Sequence, residues 1–374
     1  MESKETNPKE KSTNKDRIKE LQEELKKTKY NKRTQQHIGL IKAKIAGLKE
    51  REIKRSSGGG AAEGYSVRKT GDATVILIGF PSVGKSTLLN KITNAKSKVA
   101  GYAFTTLTVV PGLLKHKSAK IQVLDVPGIV HGAASGRGRG KEVLSTSQSA
   151  DLVIFLIDAL QPQAYEVLQK EAYESNLRVN KTKPFVKIEK TSKGGIQVSA
   201  TVTLTKTTRE TIEKMASELR MMNVNIVIRD DIDEDEFIDV VEQGKRYVPG
   251  IAVVNKIDLI TNEELKKIKK TIKPDLCISA QEGINTEKLK DLIFKKLNFM
   301  RIYCKDPGKK ADLDEPIIMF RTSTLKDMCE KLHRDFVDKF KYARIWGSSK
   351  FPGQILRKLT FELKDKDVVE LHMK

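Results

Sequence analysis

Residues 74–93 read TVILIGFPSVGKSTLLNKIT, which is an apolar run, a glycine-containing loop and a helical pattern in that order. The run Thr74–Ile78 is typical of a buried strand, and Ser86–Thr93 repeats apolar side chains at helical spacing. Between them, Gly79–Ser86 fits the phosphate-loop pattern G-x-x-x-x-G-K-[ST] in the strand–loop–helix context that this pattern requires. The stretch therefore predicts a nucleotide phosphate site at the end of a strand.

The chemistry of this loop suits phosphate oxygens. Its successive backbone N–H groups form an anion nest, and the positive end of the following helix dipole adds to it. Lys85 is expected to reach the β- and γ-phosphates, and the Ser86 hydroxyl is expected to coordinate Mg²⁺. The predicted phosphate-binding residues are Gly79, Phe80, Pro81, Ser82, Val83, Gly84, Lys85, Ser86 and Thr87.

A second motif, NKID at Asn255–Asp258, directly follows the apolar run IAVV and predicts the base specificity. The Asp258 carboxylate can accept hydrogen bonds from both the ring N–H and the exocyclic amine of guanine, whereas adenine offers no such donor pair. A P-loop ATPase is therefore the enzyme class that Asp258 argues against. We expect Asn255 to fix the loop and touch the base edge, and Lys256 to lie over the purine face. The predicted guanine-binding residues are Asn255, Lys256, Ile257 and Asp258, joined by Ser279, Ala280 and Gln281, whose N–H groups would meet the guanine carbonyl.

A third motif, DVPG, also follows an apolar run and suits the sensing of a γ-phosphate. Its residues are Asp125, Val126, Pro127 and Gly128. Asp125 suits a water-mediated contact to Mg²⁺, and the Gly128 N–H can meet the γ-phosphate. A switch also needs a threonine that joins Mg²⁺ only when the triphosphate is bound, and Thr105 and Thr106 in YAFTTLT are the candidates. The alternative is an ordinary threonine pair in a strand.

The residue after DVPG is Ile129, which bears on the rate of hydrolysis. An apolar side chain cannot orient the attacking water as the glutamine of Ras-type enzymes does. The sequence therefore predicts slow intrinsic GTP hydrolysis that K⁺ or a partner accelerates. Arg137 or Arg139 in the glycine-rich stretch GAASGRGRG is a candidate for reaching the phosphates, and a solvated loop without that role is the alternative.

Strands and helices alternate after Asp72, which predicts an α/β fold with a mostly parallel sheet covered on both faces. The interval from Asp125 to Asn255 exceeds what two strands and two helices need, so we predict a small inserted α+β domain with a hairpin at Val186–Leu204. Two amphipathic helical patterns at the N-terminus predict a helical hairpin. The predicted parts are a basic helical arm (1–57), a linker (58–71), the nucleotide-binding domain in two pieces (72–175 and 247–300), the inserted domain (176–246) and a C-terminal α+β module (301–374).

The charge balance favours a polyanionic partner, since the chain has 70 Lys and Arg against 49 Asp and Glu, a net charge of +21. The arm carries +8 and the C-terminal module +5, whereas the inserted domain carries only +1. Aromatic residues make up only 6%, so base stacking is expected to be minor. Two alternatives stay open: the arm is a solvated hairpin without a ligand, or the chain is a signalling switch that binds only proteins.

Three scattered cysteines are too few for a disulfide framework or a zinc site, and they indicate reduced thiols in a cytoplasmic protein. The chain has no apolar run of about 18 residues, so no contact with a membrane is expected.

The motifs taken together resemble those of a known family. GFPSVGKS, YAFTTLTVVPG, DVPGIVHGA and GRGRG, with NKID and SAQ, resemble the Obg-type translation-factor GTPases and, more narrowly, the developmentally regulated GTP-binding (DRG) proteins. The segments at 31–49 and 233–250 and the tail from Arg301 also resemble this family. The resemblance implies a P-loop GTPase domain, an N-terminal helical hairpin, an inserted α+β domain and a C-terminal TGS module, which is a ubiquitin-like β-grasp fold.

The resemblance also implies a Mg²⁺-dependent GTP switch, stimulation by K⁺, association with the ribosome and its rRNA, and a DRG-family regulatory protein as partner. The chain would then be a monomer or a heterodimer with that protein. Lys85, Thr106 and Gly128 would carry the catalysis, and Thr106 would be the second Mg²⁺ ligand after Ser86. The first switch would comprise Phe104, Thr105, Thr106, Leu107 and Thr108.

Two positions depart from the family pattern. His131 stands where the family usually has Glu, and we interpret it as a tolerated change in a loop. Ser82 stands where many K⁺-activated GTPases have an Asn that binds the ion. The K⁺ requirement therefore follows from the resemblance and not from this residue.

Overall fold

The computed structural model describes residues 13–56, 71–93, 110–125, 148–242, 244–333 and 335–373. The chain forms two compact units, each built from two segments: Met1–Glu63 with Thr182–Lys245, and Gly64–Lys181 with Arg246–Lys374. No helix among the described residues is both long enough and apolar enough to cross a membrane.

Helices and strands alternate along most of the described chain. The helices are α1 (Asn14–Lys27), α2 (Gln35–Ser56), α3 (Lys85–Ile92), α4 (Ala164–Glu174), α5 (Arg209–Glu218), α6 (Glu234–Val241), α7 (Asn262–Ile272), α8 (Thr286–Lys296), α9 (Leu325–Leu332) and α10 (Asp335–Lys339). The strands are β1 (Ala73–Ile78), β2 (Val110–His116), β3 (Ala119–Asp125), β4 (Leu152–Asp158), β5 (Leu177–Val179), β6 (Val186–Lys190), β7 (Ile196–Ala200), β8 (Val224–Ile228), β9 (Arg246–Val248), β10 (Gly250–Asn255), β11 (Leu276–Cys277), β12 (Phe299–Cys304), β13 (Ile317–Phe320), β14 (Phe340–Trp346), β15 (Gln354–Leu356) and β16 (Val368–Met373).

A six-stranded sheet in the order β11-β10-β4-β1-β3-β2 forms the centre of the second unit. All neighbouring strands in it are parallel except β2 and β3, which pair antiparallel. The predicted mixed, mostly parallel sheet is therefore confirmed. Every residue of β1 and β10 is buried, as expected for strands that helices cover on both faces.

Successive side chains of these strands alternate between two apolar cores. Val75 and Leu77 of β1 pack on the face that α3 and α8 cover. Ile76 and Ile78 pack on the opposite face, where Leu168 of α4 contributes to the core. Because the strands are parallel, the residues after β1, β4, β10 and β11 come together at one edge of the sheet.

In the first unit, α1 and α2 pack as the predicted helical hairpin. Thr13 and Asp16 form a capping box at the start of α1, and Ile18 packs against Ile41 and Ile45 of α2. Another face of α2 faces the inserted domain, because Ala43 and Ala46 belong to the same apolar core as Ile212 of α5. The helical arm is thus an integral part of the inserted domain's core.

The predicted hairpin at Val186–Leu204 is wrong. Strands β6 and β7 form where expected, but β8 lies between them, antiparallel to β6 and parallel to β7. Strand β8 pairs along both of its edges, and its residues Val224, Ile226 and Ile228 are all buried. The five residues between β6 and β7 can span the width of an inserted strand, which is about 10 Å. Alternating side chains indicate a strand but do not say which strand is its neighbour.

The packing of α2 on α5 predicts opposite effects of one substitution at two glycines of the same helix. A Cβ at Gly39 would lie 3.0 Å from the Met215 sulfur and 3.2 Å from a Thr211 methyl carbon, whereas a Cβ at Gly47 would meet nothing within 4 Å. Gly39→Leu is expected to destabilise the unit by about 1–3 kcal/mol through overpacking. Gly47→Leu is expected to stabilise it by about 0.5–1 kcal/mol, because leucine favours helices more than glycine does. Hydrogen exchange in α2 of the full chain measures both, and similar protection in the two variants would contradict this packing.

The C-terminal part of the second unit has its own five-stranded sheet, in the order β13-β12-β16-β14-β15. Strands β12 and β16 are parallel at its centre, and the other neighbouring pairs are antiparallel. Helix α9 contributes Leu325 and Met328 to the core beneath the sheet. This arrangement is the β-grasp fold that the resemblance predicted. Helix α9 ends at Leu332, and the short helix α10 begins at Asp335.

Candidate functional site

The phosphate loop lies between β1 and α3, at the edge of the sheet where the parallel strands end. Strand β1 ends at Ile78, and α3 begins at Lys85 with Gly84 as its N-terminal cap residue. Pro81, Ser82 and Thr87 are exposed, whereas Val83 is buried in the core. The loop therefore presents its backbone at the surface while Val83 anchors it underneath.

Two glycines of the loop are required by packing. A Cβ at Gly79 would lie 2.6 Å from the backbone oxygen of Leu156 in β4. Gly84 has φ +96°, and a Cβ there would lie 2.5 Å from Nδ2 of Asn255. Any side chain at these positions would push the loop away from β4 or from Asn255, so the glycines set the position of the loop as well as its closeness to a ligand.

Lys85 folds back over the loop. Its Nζ donates hydrogen bonds to the backbone oxygens of Gly79, at 2.8 Å, and Phe80, at 3.0 Å. Burial lowers the pKa of Lys85, and the nearby Asp125 carboxylate opposes that shift. The ammonium group is therefore held at the loop by weak acceptors, and it is poorly solvated, which favours its interaction with an anion.

Ser86 and Asp125 place a hydroxyl oxygen and a carboxylate, both of which can bind a metal ion, beside Lys85. Ser86 Oγ donates to Asp125 Oδ2 at 3.4 Å, and Asp125 is only 8% exposed. Burial raises the pKa of Asp125, whereas Lys85 and then the Ser86 hydrogen bond lower it. The other carboxylate oxygen, Oδ1, is buried and accepts no hydrogen bond from the described residues. A buried carboxylate oxygen without a donor, beside a hydroxyl, fits a Mg²⁺ ion or its bound water.

Asn255 joins two of the predicted motifs. It is the last residue of β10, is 2% exposed, and donates from Nδ2 to the backbone oxygen of Val83 at 2.8 Å. Its Oδ1 accepts from the backbone N–H of Ala280 at 2.9 Å. Both polar atoms of the side chain are thus used to tie the phosphate loop to the Ser279–Gln281 segment. In that segment Ser279 and Ala280 are buried, and Gln281 is exposed.

Lys256 has a partner that the sequence reasoning missed. Its Nζ lies 2.6 Å from Oδ2 of Asp158, the last residue of β4. The register of β4 and β10 pairs Asp158 with Asn255, so the ion pair forms directly beside the NKID motif. Asp158 also accepts the Leu160 N–H at 2.9 Å. A carboxylate at the end of the run LVIFLID, a strand of the same sheet, was the available signal.

Asp258 lies in a short 3₁₀ helix, Ile257–Leu259, directly after Lys256. Its side chain is exposed, and among the described residues it makes no hydrogen bond or ion pair. Ile257 anchors the turn by packing against the core. The carboxylate therefore stands available to a ligand at the same edge of the sheet as the phosphate loop.

The remaining predicted site residues lie outside the described ranges. They are Phe104, Thr105, Thr106, Leu107, Thr108, Val126, Pro127 and Gly128, together with Ile129, His131, Arg137 and Arg139. The structure thus brings together the phosphate loop, Asp125, the NKID motif and the Ser279–Gln281 segment.

Three family models match consecutive parts of the chain. A model described as 50S ribosome-binding GTPase matches residues 74–190, and one for the C-terminal region of that domain matches residues 193–299. A TGS domain model matches residues 300–373. A solved structure, the YchF GTPase of Schizosaccharomyces pombe, aligns at 15% identity with a TM-score of 0.44, covering 82% of this chain and 99% of its own.

Several relatives align with this chain over almost the full length of both proteins. A GTP-binding protein of Methanocaldococcus jannaschii is 52% identical, covering 96% of this chain and 92% of its own. Developmentally-regulated G-protein 3 of Arabidopsis thaliana is 43% identical, with 96% and 99% covered, and Developmentally-regulated GTP-binding protein 1 of Xenopus laevis is 40% identical, with 95% and 98% covered. With a GTPase domain, a TGS domain and these relatives, the chain is a GTPase that belongs to the developmentally regulated GTP-binding protein family.

Proposed function

We propose that this GTPase is a Mg²⁺-dependent switch that acts on ribosomes in the cytoplasm. One observation carries the nucleotide part: Lys85, the Ser86–Asp125 pair and Asp258 lie at one edge of the sheet, with Asn255 tying their loops together. The description of the matching family model as ribosome-binding and the net charge of +21 support the ribosomal part.

The phosphate end of the site supplies positive charge and oxygen ligands. The Lys85 ammonium and the loop N–H groups would hold the β- and γ-phosphates, and the ammonium would exchange its bonds to Gly79 and Phe80 for phosphate oxygens. Ser86 and Asp125, with Thr106 as second direct ligand, would hold Mg²⁺, and the Gly128 N–H would contact the γ-phosphate. When bound, Mg²⁺ neutralises charge on the phosphates.

The base end of the site supplies specificity. The exposed Asp258 carboxylate would accept the two guanine donors, and the Ser279–Gln281 segment would meet the guanine carbonyl through a backbone N–H other than that of Ala280, which donates to Asn255 Oδ1. The Asp158–Lys256 ion pair, at 2.6 Å, would hold the lysine stem in one orientation over the purine. We assign Asp158 as a positioning residue because it acts through Lys256.

The hydrolysis step lacks a polar side chain after DVPG, since Ile129 stands there. We propose slow intrinsic hydrolysis that is accelerated by K⁺ or by a partner, either the ribosome or a DRG-family regulatory protein. The chain would work as a monomer or as a heterodimer with that protein.

The experiment is ribosome cosedimentation of the full chain, with GDP and with a GTP analogue, together with GTP hydrolysis with and without K⁺ and ribosomes. Retention at about 50 mM salt and loss at about 500 mM is expected, because phosphate contacts release counterions. Equal retention at both salt concentrations would contradict the electrostatic account. Absence of binding at either concentration would favour a signalling GTPase that binds only proteins.

Deleting residues 1–57 is unsuitable as a test of the basic arm. Helix α2 contributes Ala43 and Ala46 to the inserted domain's core, so the deletion would remove part of that core. Replacing exposed lysines of α1 with glutamine, at Lys19, Lys26 and Lys27, removes charge and leaves the packing intact.

A further inference from the structure

Helix α7 carries a concentrated set of lysines. The helix and its C-terminal cap residue Lys273 read NEELKKIKKTIK from Asn262, which contains five lysines and two glutamates. At about 100° per residue, Lys266, Lys269, Lys270 and Lys273 fall within an arc of about 100°, over about 10 Å of helix. We name these four residues the α7 lysine face.

The opposite side of α7 is committed to the fold. Ile268 is 7% exposed and belongs to the same apolar core as Leu168 of α4. Leu265 and Ile272 pack against this core. Thr261 and Glu264 form a capping box that fixes the start of the helix. Because its apolar side is buried, the helix is held in one orientation, and the α7 lysine face is exposed to solvent.

The charges of this face are not neutralised within the described residues. Lys266, Lys269, Lys270 and Lys273 are exposed and make no ion pair there. By contrast, Lys256, Lys290 and Lys296 of the same unit each have a carboxylate oxygen within 3.2 Å. Glu264 is engaged by Thr261, so one of the two acidic side chains of the helix is occupied. Four unpaired like charges this close repel one another, and a multivalent anion would relieve that repulsion.

We propose that the α7 lysine face binds the phosphate backbone of RNA. A protein partner fits less well, because protein interfaces are depleted in lysine and depend on aromatic or aliphatic anchors, which the arc lacks. A membrane surface also fits less well, because a helix that lies in the lipid interface inserts its apolar face, and that face of α7 is buried against the sheet. Lysine contacts to successive phosphates need neither anchors nor a particular sequence.

This inference deepens the proposed ribosomal function and rests on it for its biological meaning. It differs in location from the basic arm and the C-terminal module, because α7 belongs to the GTPase domain. Helix α7 begins four residues after Asp258, so the RNA-binding face and the guanine-recognition turn belong to one continuous segment.

The test is a titration of fluorescent single-stranded poly(U) RNA with the full chain, comparing wild type with the variant Lys266→Gln, Lys269→Gln, Lys270→Gln, Lys273→Gln. The variant is expected to bind RNA about 100-fold more weakly at about 0.1 M salt and to reduce the slope of log K against log salt by about 3. The matched control changes four scattered exposed lysines of the same unit, Lys115, Lys170, Lys288 and Lys341, to glutamine. Its RNA affinity is expected to fall by less than about fivefold. GTP affinity is expected to be unchanged in both variants, which also verifies folding.

Unchanged RNA affinity in the α7 variant overturns the inference, and so does an equal loss in the scattered control, since net charge alone would then explain binding. Loss of binding to phosphatidylserine vesicles with RNA binding retained assigns the face to a membrane and also overturns it. Cosedimentation with ribosomes separates the two proposals. If the α7 variant cosediments like wild type, the inference fails and the proposed function stands. If wild type itself does not cosediment, the proposed function fails.

Discussion

Asp258→Asn is expected to lower the affinity for GTP by about 10²–10³-fold and to raise the affinity for xanthosine triphosphate. The substitution would remove the two proposed charge-assisted hydrogen bonds to guanine, which together would contribute about 3–4 kcal/mol. An asparagine amide can donate to the 2-oxygen of xanthine, which stands where guanine has its amine. Asp258 is exposed and makes no hydrogen bond or ion pair with a described residue, so the change should leave the folded structure intact.

Calorimetric titration of wild type and the Asp258→Asn variant with GTP, xanthosine triphosphate and ATP measures this change in specificity. Glu263→Gln, an exposed carboxylate five residues further on, is the matched control, and its nucleotide affinities should equal those of wild type. Wild-type protein that binds adenine nucleotides as tightly as guanine nucleotides would refute the assignment of Asp258.

Asp125→Asn is expected to reduce GTP hydrolysis by about 10²–10³-fold and to stabilise the nucleotide-free protein by roughly 1 kcal/mol. The loss of activity follows from removing the carboxylate that faces Ser86 and the proposed Mg²⁺. The gain in stability follows because the carboxylate is buried and its Oδ1 accepts no hydrogen bond within the part of the chain that the structure describes. The site would thus keep a destabilising charge because the bound nucleotide and Mg²⁺ need it.

The dependence on pH follows from the raised pKa of Asp125. Because the pKa is higher in the folded state than in the unfolded chain, the protonated carboxyl favours folding, and this contribution is lost as the pH rises through the folded-state pKa. Wild type should therefore lose stability over the pH range just above the ordinary aspartate value, and Asp125→Asn should not show that contribution. Urea unfolding of nucleotide-free protein across that range measures it, with Asp314→Asn, an exposed carboxylate, as control. A variant less stable than wild type at neutral pH would contradict the expectation.

Much of the site was predictable because each motif is short and follows its own strand. The phosphate loop, DVPG, NKID and the Ser279–Gln281 segment each come after an apolar run, and parallel strands bring such positions to one edge. The length of the interval from Asp125 to Asn255 predicted the inserted domain, and the family resemblance identified the C-terminal module as a TGS module, whose β-grasp topology the structure confirms. None of this required knowledge of side-chain contacts.

Other features depended on contacts between distant segments. The Asp158–Lys256 ion pair joins residues 98 positions apart, and the two hydrogen bonds of Asn255 join it to Val83 and Ala280. The sequence motif predicted glycines at positions 79 and 84 so that the loop could approach a phosphate. The structure adds a second reason, because a Cβ at these positions would collide with Leu156 and Asn255. The hairpin expected at Val186–Leu204 does not form, because β8, from more than 20 residues later, lies between the two strands and pairs with both.

The amino-acid sequence alone was enough to predict an ammonium and a hydroxyl at a phosphate loop, a carboxylate expected to bind guanine, and the α/β sheet that carries them. These properties are local, since residue type and spacing along one strand and its following loop specify them. Contacts in the folded chain were needed to show that the helical arm completes the inserted domain's core, that Asp158 holds Lys256, and that the α7 lysine face makes no ion pair among the described residues. Packing partners and the neutralisation of charge depend on which distant residues meet, and no local pattern encodes that.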